Sequence, residues 1–446
     1  MKKWIWNSII LVACTAQAIF FLLQQINLLL LDSINGAGSF DNVAGFASCL
    51  VLGLPVGENL LRNGTSRQKW LVGASKVICI IAIVWAQSRA GMLCVFLWLF
   101  LLYVPRNKQK WFFVLLPLVI IGLLFYKSDS SRGRWFILER TLNMIFEHPL
   151  CGWGLGGFQA HYMDWQADFF QQYPTSPFAM LADNIRHPLN EWLAVTVDFG
   201  IIGLAVVTTM FLYTLWYAEK HSSSLSQKGK HIIILLATFS FFSYPFQYPF
   251  TWVMMVWGAL AIYHVPTYRH LKVCSAMVIT LAIVGGYYLF EHRKDEARLE
   301  KLYEKTNLGL YDIAAPKYQE LYPQHQRDCQ FLFYNASNLY LAEQYPQALQ
   351  KAMLCKSYLA DYDLSLLIGD IYRGLGRQDS SLFYYERAHY MCPSRFSPLY
   401  EMFNVYKEYG DTANSARLKD IILHKAIKIN SEETSRIIQE VSDTHE

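Results

Sequence analysis

Long apolar runs, separated by short clusters of Lys and Arg, fill the first 295 residues and decide what this chain can fold into. Such runs are costly to leave in water, and a helix of roughly 20 residues crosses ~30 Å of hydrocarbon. About nine spans are expected, over 5–31, 40–56, 70–86, 90–104, 111–126, 189–217, 232–244, 250–265 and 271–290. Several are shorter than a full crossing, which packing inside a bundle accommodates. The stretch 232–265 is almost continuously apolar, with Pro245 and Pro249 in its middle. As one helix it would run about 50 Å, too long for one crossing. Two helices with a turn at Tyr244–Pro249 fit better.

Charge then orients the spans. Lys2 and Lys3 precede the first. Arg62, Arg67 and Lys69 follow the second, and Arg106, Lys108 and Lys110 follow the fourth. Lys220, Lys228 and Lys230 follow the sixth, and Arg269 and Lys272 the eighth. All fall on one side, which the positive-inside rule makes the cytoplasm. The loop 127–188 and the tail 296–446 then lie outside. The expected organisation is all-α: a polytopic transmembrane bundle, residues 1–295 with that large outer loop, followed by a soluble helical repeat domain, 296–446.

The two parts differ in composition as well. The tail holds 38 of the 74 charged side chains and the longer first part only 36. That split excludes a single soluble globule, a disordered chain and a secreted disulfide scaffold. No basic soluble face of the kind that binds nucleic acid is present. Most of the nine cysteines lie in spans, where Cys is a small apolar filler, and the three in the tail suggest no essential disulfide.

The tail carries a repeat. Gly369, Tyr372, Gly376, Tyr385, Ala388 and Pro393 fall at tetratricopeptide (TPR) spacings, and Tyr406 and Gly410 repeat Tyr372 and Gly376 at an offset of 34. A degenerate earlier unit lies around 331–358. Such a stack either packs against the rest of the chain or docks a protein partner on its concave face.

Chemistry is expected in the outer loop and the helix ends facing it. Arg132, Arg134, Arg140 and Arg186 sit in the loop, and Arg89 caps another outward helix end. Guanidinium groups suit phosphate because they donate in bidentate forks and never deprotonate. Several together suit a lipid pyrophosphate. The alternative is pairing with Glu139, Glu147, Asp129 or Asp183, or contact with phospholipid headgroups. His187, in Arg186-His187-Pro188-Leu189-Asn190-Glu191, stands where the loop re-enters the membrane and is a candidate general base that Asn190 or Glu191 would orient. His148 and His161 are weaker candidates. The three histidines lack metal-ligand spacing, so no metal and no cofactor are expected. The Gly-rich run 149–158 suits a tight backbone path.

These residues resemble one superfamily, that of O-antigen ligases, O-antigen polymerases and protein O-oligosaccharyltransferases. The resemblance rests on Gly38–Asn42, Ser88-Arg89-Ala90-Gly91, Arg134 followed by His148–Gly154, and His187–Glu191 followed by Asp198–Gly203. It covers about 40–203. It implies a multi-pass enzyme of the bacterial inner membrane that transfers a glycan from undecaprenyl pyrophosphate on the periplasmic side without a metal. Carried over, Arg89 and Arg134 match the family's arginines and His187 its histidine. Arg132, Arg186, Arg140, Asn190, Glu191 and Asn42 are then expected to bind substrate. Two departures stand out: many members have a second His where Leu189 stands, and nine spans are fewer than usual.

The acceptor implied is lipid A core for a ligase, another lipid-linked glycan for a polymerase, or a protein for a protein transferase. A membrane-anchored repeat scaffold without chemistry is the reading from another class. A transporter would need polar residues lining a path, and the spans show few.

Overall fold

The computed structural model describes residues 2–26, 37–40, 42–105, 108, 128–220, 223–263 and 298–444. The expected spans at 111–126 and 271–290 lie outside these residues. Among the described residues there are eighteen α-helices and no strand. The chain divides into two compact units. One comprises Met1–Ser131 and His187–Thr267, the other Arg132–Arg186 and Tyr268–Glu446.

The first unit holds α1 (Lys2–Gln25), α2 (Val43–Gly53), α3 (Glu58–Asn63), α4 (Ser66–Trp85) and α5 (Arg89–Tyr103). After the excursion into the second unit come α8 (Glu191–Lys220), α9 (Ser224–Ser240) and α10 (Pro249–Ile262). Among the described residues three helices are long and apolar enough to cross a membrane: Ser8–Gln25 within α1, α4 and α8. At the span expected over 40–56 stands α2, a short apolar helix of 11 residues. At 1.5 Å per residue it covers only about 16 Å. Its residues Gly45–Gly53 are all buried, so it is the core of the bundle. α1, α4, α5, α9 and α10 all pack on it.

The long α8 is kinked. Gly200 breaks it with φ 65° and ψ −167°, a conformation open essentially to glycine alone. The 20 residues beyond the break, 201–220, reach about 30 Å, enough for a crossing. α9 and α10 meet closely because Gly229 faces Gly258. A Cβ at 229 would lie 2.4 Å from the Gly258 carbonyl oxygen. Between them the chain turns through a 3₁₀ segment, Pro245–Gln247, where the two prolines led us to expect a turn. Lys76, in the middle of α4, is a bundle contact: its Nζ donates to the carbonyl of Val56 at 3.0 Å and to that of Leu54.

The second unit groups the outer loop, Arg132–Arg186, with the tail. α6 (Ser128–Glu147) begins at the unit boundary, and α7 (Gly157–Gln172) packs on a helix of the tail. The reason is a run of specific bonds. Gln166 Nε2 donates to Met391 O at 2.6 Å, and Ala360 N to Gln159 O at 2.9 Å. Arg387 is held by Asp164 and Asp168, and Lys356 by Asp164. Asp183 pairs with Arg395 at 3.1 Å and Lys428 at 3.8 Å. Phe136, Phe170 and Ala182 form an apolar cluster into which Tyr390 packs.

The tail itself is a series of helix pairs. A helical run at 298–307 precedes α11 (Tyr311–Leu321). α12 (Cys329–Leu341) pairs with α13 (Tyr345–Lys356), α14 (Tyr362–Gly374) with α15 (Gln378–Met391), and α16 (Ser397–Glu408) with α17 (Thr412–His424). α18 (Glu432–Asp443) packs on the last pair. Each pair turns through a residue with positive φ: Gly309, Glu343, Gly376 and Gly410, spaced 34, 33 and 34 apart. The next amide bonds back in the same way each time, as in Arg377 N to Tyr372 O and Asp411 N to Tyr406 O. Gly369 lets α14 and α15 cross, since a Cβ there would meet the Tyr385 ring at 2.5 Å.

Candidate functional site

In the first unit the candidate residues sit at two helix starts of one design. Ser88 caps α5, its side chain accepting from Gly91 N, and Arg89 is the first residue of that helix. Asn190 caps α8, its Oδ1 accepting from Trp192 N at 2.9 Å and Leu193 N at 3.1 Å. A non-glycine residue with positive φ stands immediately before each cap: Gln87 at 53° and Leu189 at 54°. Such a conformation costs roughly 1–2 kcal/mol for an L-residue, and strain of this kind gathers at functional sites. Arg89 Nη1 donates to Ser131 Oγ at 2.6 Å.

Sequence reasoning expected Asn190 or Glu191 to orient His187. Both are engaged elsewhere. Asn190 satisfies helix amides that otherwise lack acceptors. Glu191 accepts the Phe246 N–H at 3.1 Å. The imidazole meets the Tyr244–Pro249 turn instead. It stacks on Tyr244, ring centroids 5.1 Å apart and planes 19° from parallel, and its Nε2 meets the side-chain amide of exposed Gln247.

Asn42 was expected to bind substrate. Its Oδ1 caps α2 by accepting from Gly45 N at 2.8 Å, and its Nδ2 donates to Tyr248 Oη at 2.5 Å and Tyr244 Oη at 3.3 Å. Its polar atoms are committed to the scaffold. Tyr244, Gln247 and Tyr248 are the residues that sequence reading missed. They lie in a segment that drew notice only for its prolines.

In the second unit, Arg132 and Arg134 are exposed on the first turns of α6. Arg140 pairs with Glu139 at 2.5 Å and lies over the Phe169 ring, 4.3 Å from its centroid. Arg186 binds Asp361 through Nε at 3.2 Å and Nη2 at 2.9 Å, and Asn184 joins the same carboxylate at 3.0 Å. Arg140 therefore has a carboxylate partner weighed from sequence, Glu139, whereas Arg186 pairs with Asp361 of the tail, a partner the sequence did not suggest. Burial works to raise the Asp183 carboxyl, but the Asn184 amide and the Arg395 guanidinium outweigh it and hold it below its ordinary value.

The Gly-rich run winds through positive φ at Gly152, Gly154 and Gly156. It carries Trp153 between His148, 4.2 Å away by centroids, and His161, 4.6 Å away, while its Nε1 donates to Met144 O at 2.8 Å. Burial holds His161 below its ordinary value. Among the described residues no group of three His, Cys, Asp or Glu is placed to hold a metal ion.

Residues 74–208 match the family model described as O-antigen ligase. No curated protein matches the chain. The match takes in under a third of the chain, but it contains Arg89, the four loop arginines, His187, Asn190 and Glu191, with Asn42 outside it. With the apolar helices, it supports a membrane protein of the O-antigen ligase superfamily and a glycan-transferring, ligase-type function. A ligase of that kind implies a lipid-linked glycan as donor and a glycan as acceptor.

Proposed function

We propose that this chain is an integral inner-membrane glycosyltransferase that moves a glycan from undecaprenyl pyrophosphate to a periplasmic acceptor hydroxyl, in the manner of an O-antigen ligase. The observation that carries the reading is that one family match encloses Arg89, Arg134 and His187 together. In the proposed step His187 takes the proton of the acceptor hydroxyl. The hydroxyl oxygen forms a bond to the anomeric carbon as the bond from that carbon to the pyrophosphate oxygen breaks. The electron pair leaves with undecaprenyl pyrophosphate, and the proton passes from His187 to solvent. Arg89 and Arg134 stabilise the charge on the departing pyrophosphate, which is greatest as the bond breaks. Exposed Arg132 assists, and Arg140 and Arg186 support the loop. No metal takes part in this scheme.

Nine crossings would put the tail in the periplasm, and the positive-inside pattern supports that topology. The tail reads as TPR-like, supported by the turn residues recurring every 33 or 34 positions. Its surface then offers a dock for a protein partner beyond the loop it already holds.

Deleting the gene and examining surface polysaccharide, lipid A core and glycoproteins tests the reading. Intact lipid-linked polymer with a bare core supports the ligase. Glycan capped at one repeat unit indicates a polymerase, and unmodified protein beside normal polysaccharide a protein transferase. Unchanged glycans in all three pools refute glycan transfer and leave the non-catalytic repeat scaffold.

A further inference from the structure

We propose that Tyr244 and Gln247 are positioning residues for the transfer: the Asn42-locked turn fixes the ring of His187 and the nitrogen at which it takes its proton. The inference rests on the general-base reading of His187 given above. The turn is held from every side. Asn42 binds both tyrosine hydroxyls, Glu191 binds the Phe246 amide, and Trp252 Nε1 donates to Phe246 O at 2.8 Å. Tyr248 lies against α2 where only glycine fits, since a Cβ at Gly45 would stand 2.3 Å from its ring. Phe40 meets the same ring edge-on at 5.5 Å. Pro245 and Pro249 remove backbone freedom at each end. A platform this constrained sets the plane of the imidazole stacked on it.

The Gln247 amide then chooses the tautomer. An amide rotated by half a turn presents carbonyl oxygen or NH₂ to the same spot. An NH₂ donating to Nε2 uses that lone pair and puts the ring proton on Nδ1, leaving no base. The carbonyl accepting from Nε2–H leaves the lone pair of Nδ1 free. It also binds the imidazolium more strongly than the neutral ring, because a hydrogen bond from a charged donor is stronger. On the Tyr244–Pro249 turn and the first turn of α8 the titratable groups are Tyr244, Tyr248 and Glu191, and the Glu191 carboxylate is engaged by the Phe246 amide.

The test measures undecaprenyl pyrophosphate released from the host's own lipid-linked glycan in permeabilised membranes, as a function of pH. The proteins compared are the full-length wild type, Gln247→Glu, Gln247→Leu, Tyr244→Phe, Tyr244→Ala and His187→Ala. A carboxylate at 247 favours the imidazolium, so Gln247→Glu should move the acid limb of kcat up by about 1 pH unit. Gln247→Leu should move it down and slow release by about 10-fold. Tyr244→Phe keeps the stack and should stay faster than Tyr244→Ala. If Gln247→Glu fails to accumulate, the Gln247→Leu shift decides. An unmoved acid limb in the Gln247 variants, with His187→Ala inactive, overturns this inference and spares the general base. Wild-type release in His187→Ala overturns both.

Discussion

The two units solve the burial problem in opposite ways. In the first, large apolar side chains face outward: Trp70, Val77, Ile81 and Trp85 on α4, and Ile202 and Met210 on α8, are all exposed. Polar groups are inside, among them Glu58, which accepts from Trp98 Nε1 at 2.9 Å, and Lys76. In the second, aliphatic and aromatic residues line the helix-pair interiors and ion pairs stitch the surface. An outward apolar coat is stable only where lipid replaces water. Inside it, small residues and hydrogen bonds have to hold the helices together.

The sharpest test of this contrast is chemical. Arg134→Ala in the second unit and His187→Ala in the first should each abolish glycan transfer while the protein still accumulates. Losing a preorganised charge partner or base of this kind costs on the order of 2.7–4 kcal/mol in the barrier. Near-normal transfer in Arg134→Ala would assign the chemistry to the first unit alone. Next in size is packing. Gly229→Leu should drive α9 from α10 and reduce membrane accumulation, costing about 1–3 kcal/mol or more. Arg387→Ala should free α7 from the tail by about 1–3 kcal/mol, read as faster proteolysis within 157–186 in the full-length protein. Equal protease resistance would mean that apolar packing alone holds the loop.

A fourth prediction concerns pH. Burial, with Lys425 nearby, pushes His389 down to about 3. Unfolded, it would titrate near 6.5. The neutral ring's contribution is complete above that value and is lost as pH falls below it. Thermal unfolding in detergent should therefore drop from pH 7 to pH 5, and His389→Phe should shrink the drop. An identical drop in that variant would place the acid sensitivity elsewhere. The smallest effect is at Glu343, whose positive φ is one that glycine adopts at no steric cost. Glu343→Gly should stabilise by about 1 kcal/mol, whereas alanine at Gly376 or Gly410 should lose a similar amount.

That position also shows what could be read from the sequence. Gly376 and Gly410 announced the repeat because glycine marks the turn. Gly309 carries the same signal two units before Gly376, while Glu343, between them, makes the turn without the residue that advertises it. The helix–turn–helix at 232–265 was legible because proline and helix length are local facts. The length of α2 was not, since an all-apolar helix looks alike whether lipid or protein covers it. The allegiance of the loop was hidden as well. Asp164 and Arg387 lie more than 200 residues apart, and nothing local couples them. At the site, Arg89 and His187 were visible as charge and imidazole in an unusual place. Tyr244 and Gln247 were not, because their role is to support another side chain.

The discontinuous make-up of the second unit has a practical corollary. A chain cut after residue 295 would not simply lack a detachable module. It would strip Arg132–Arg186 of Met391, Arg387, Arg395 and Asp361, leaving apolar and acidic surfaces of the loop bare. Inactivity after such a truncation would be ambiguous between a lost visitor and a collapsed loop. Point changes in the tail that spare the seam are the cleaner way to ask whether anything else docks there.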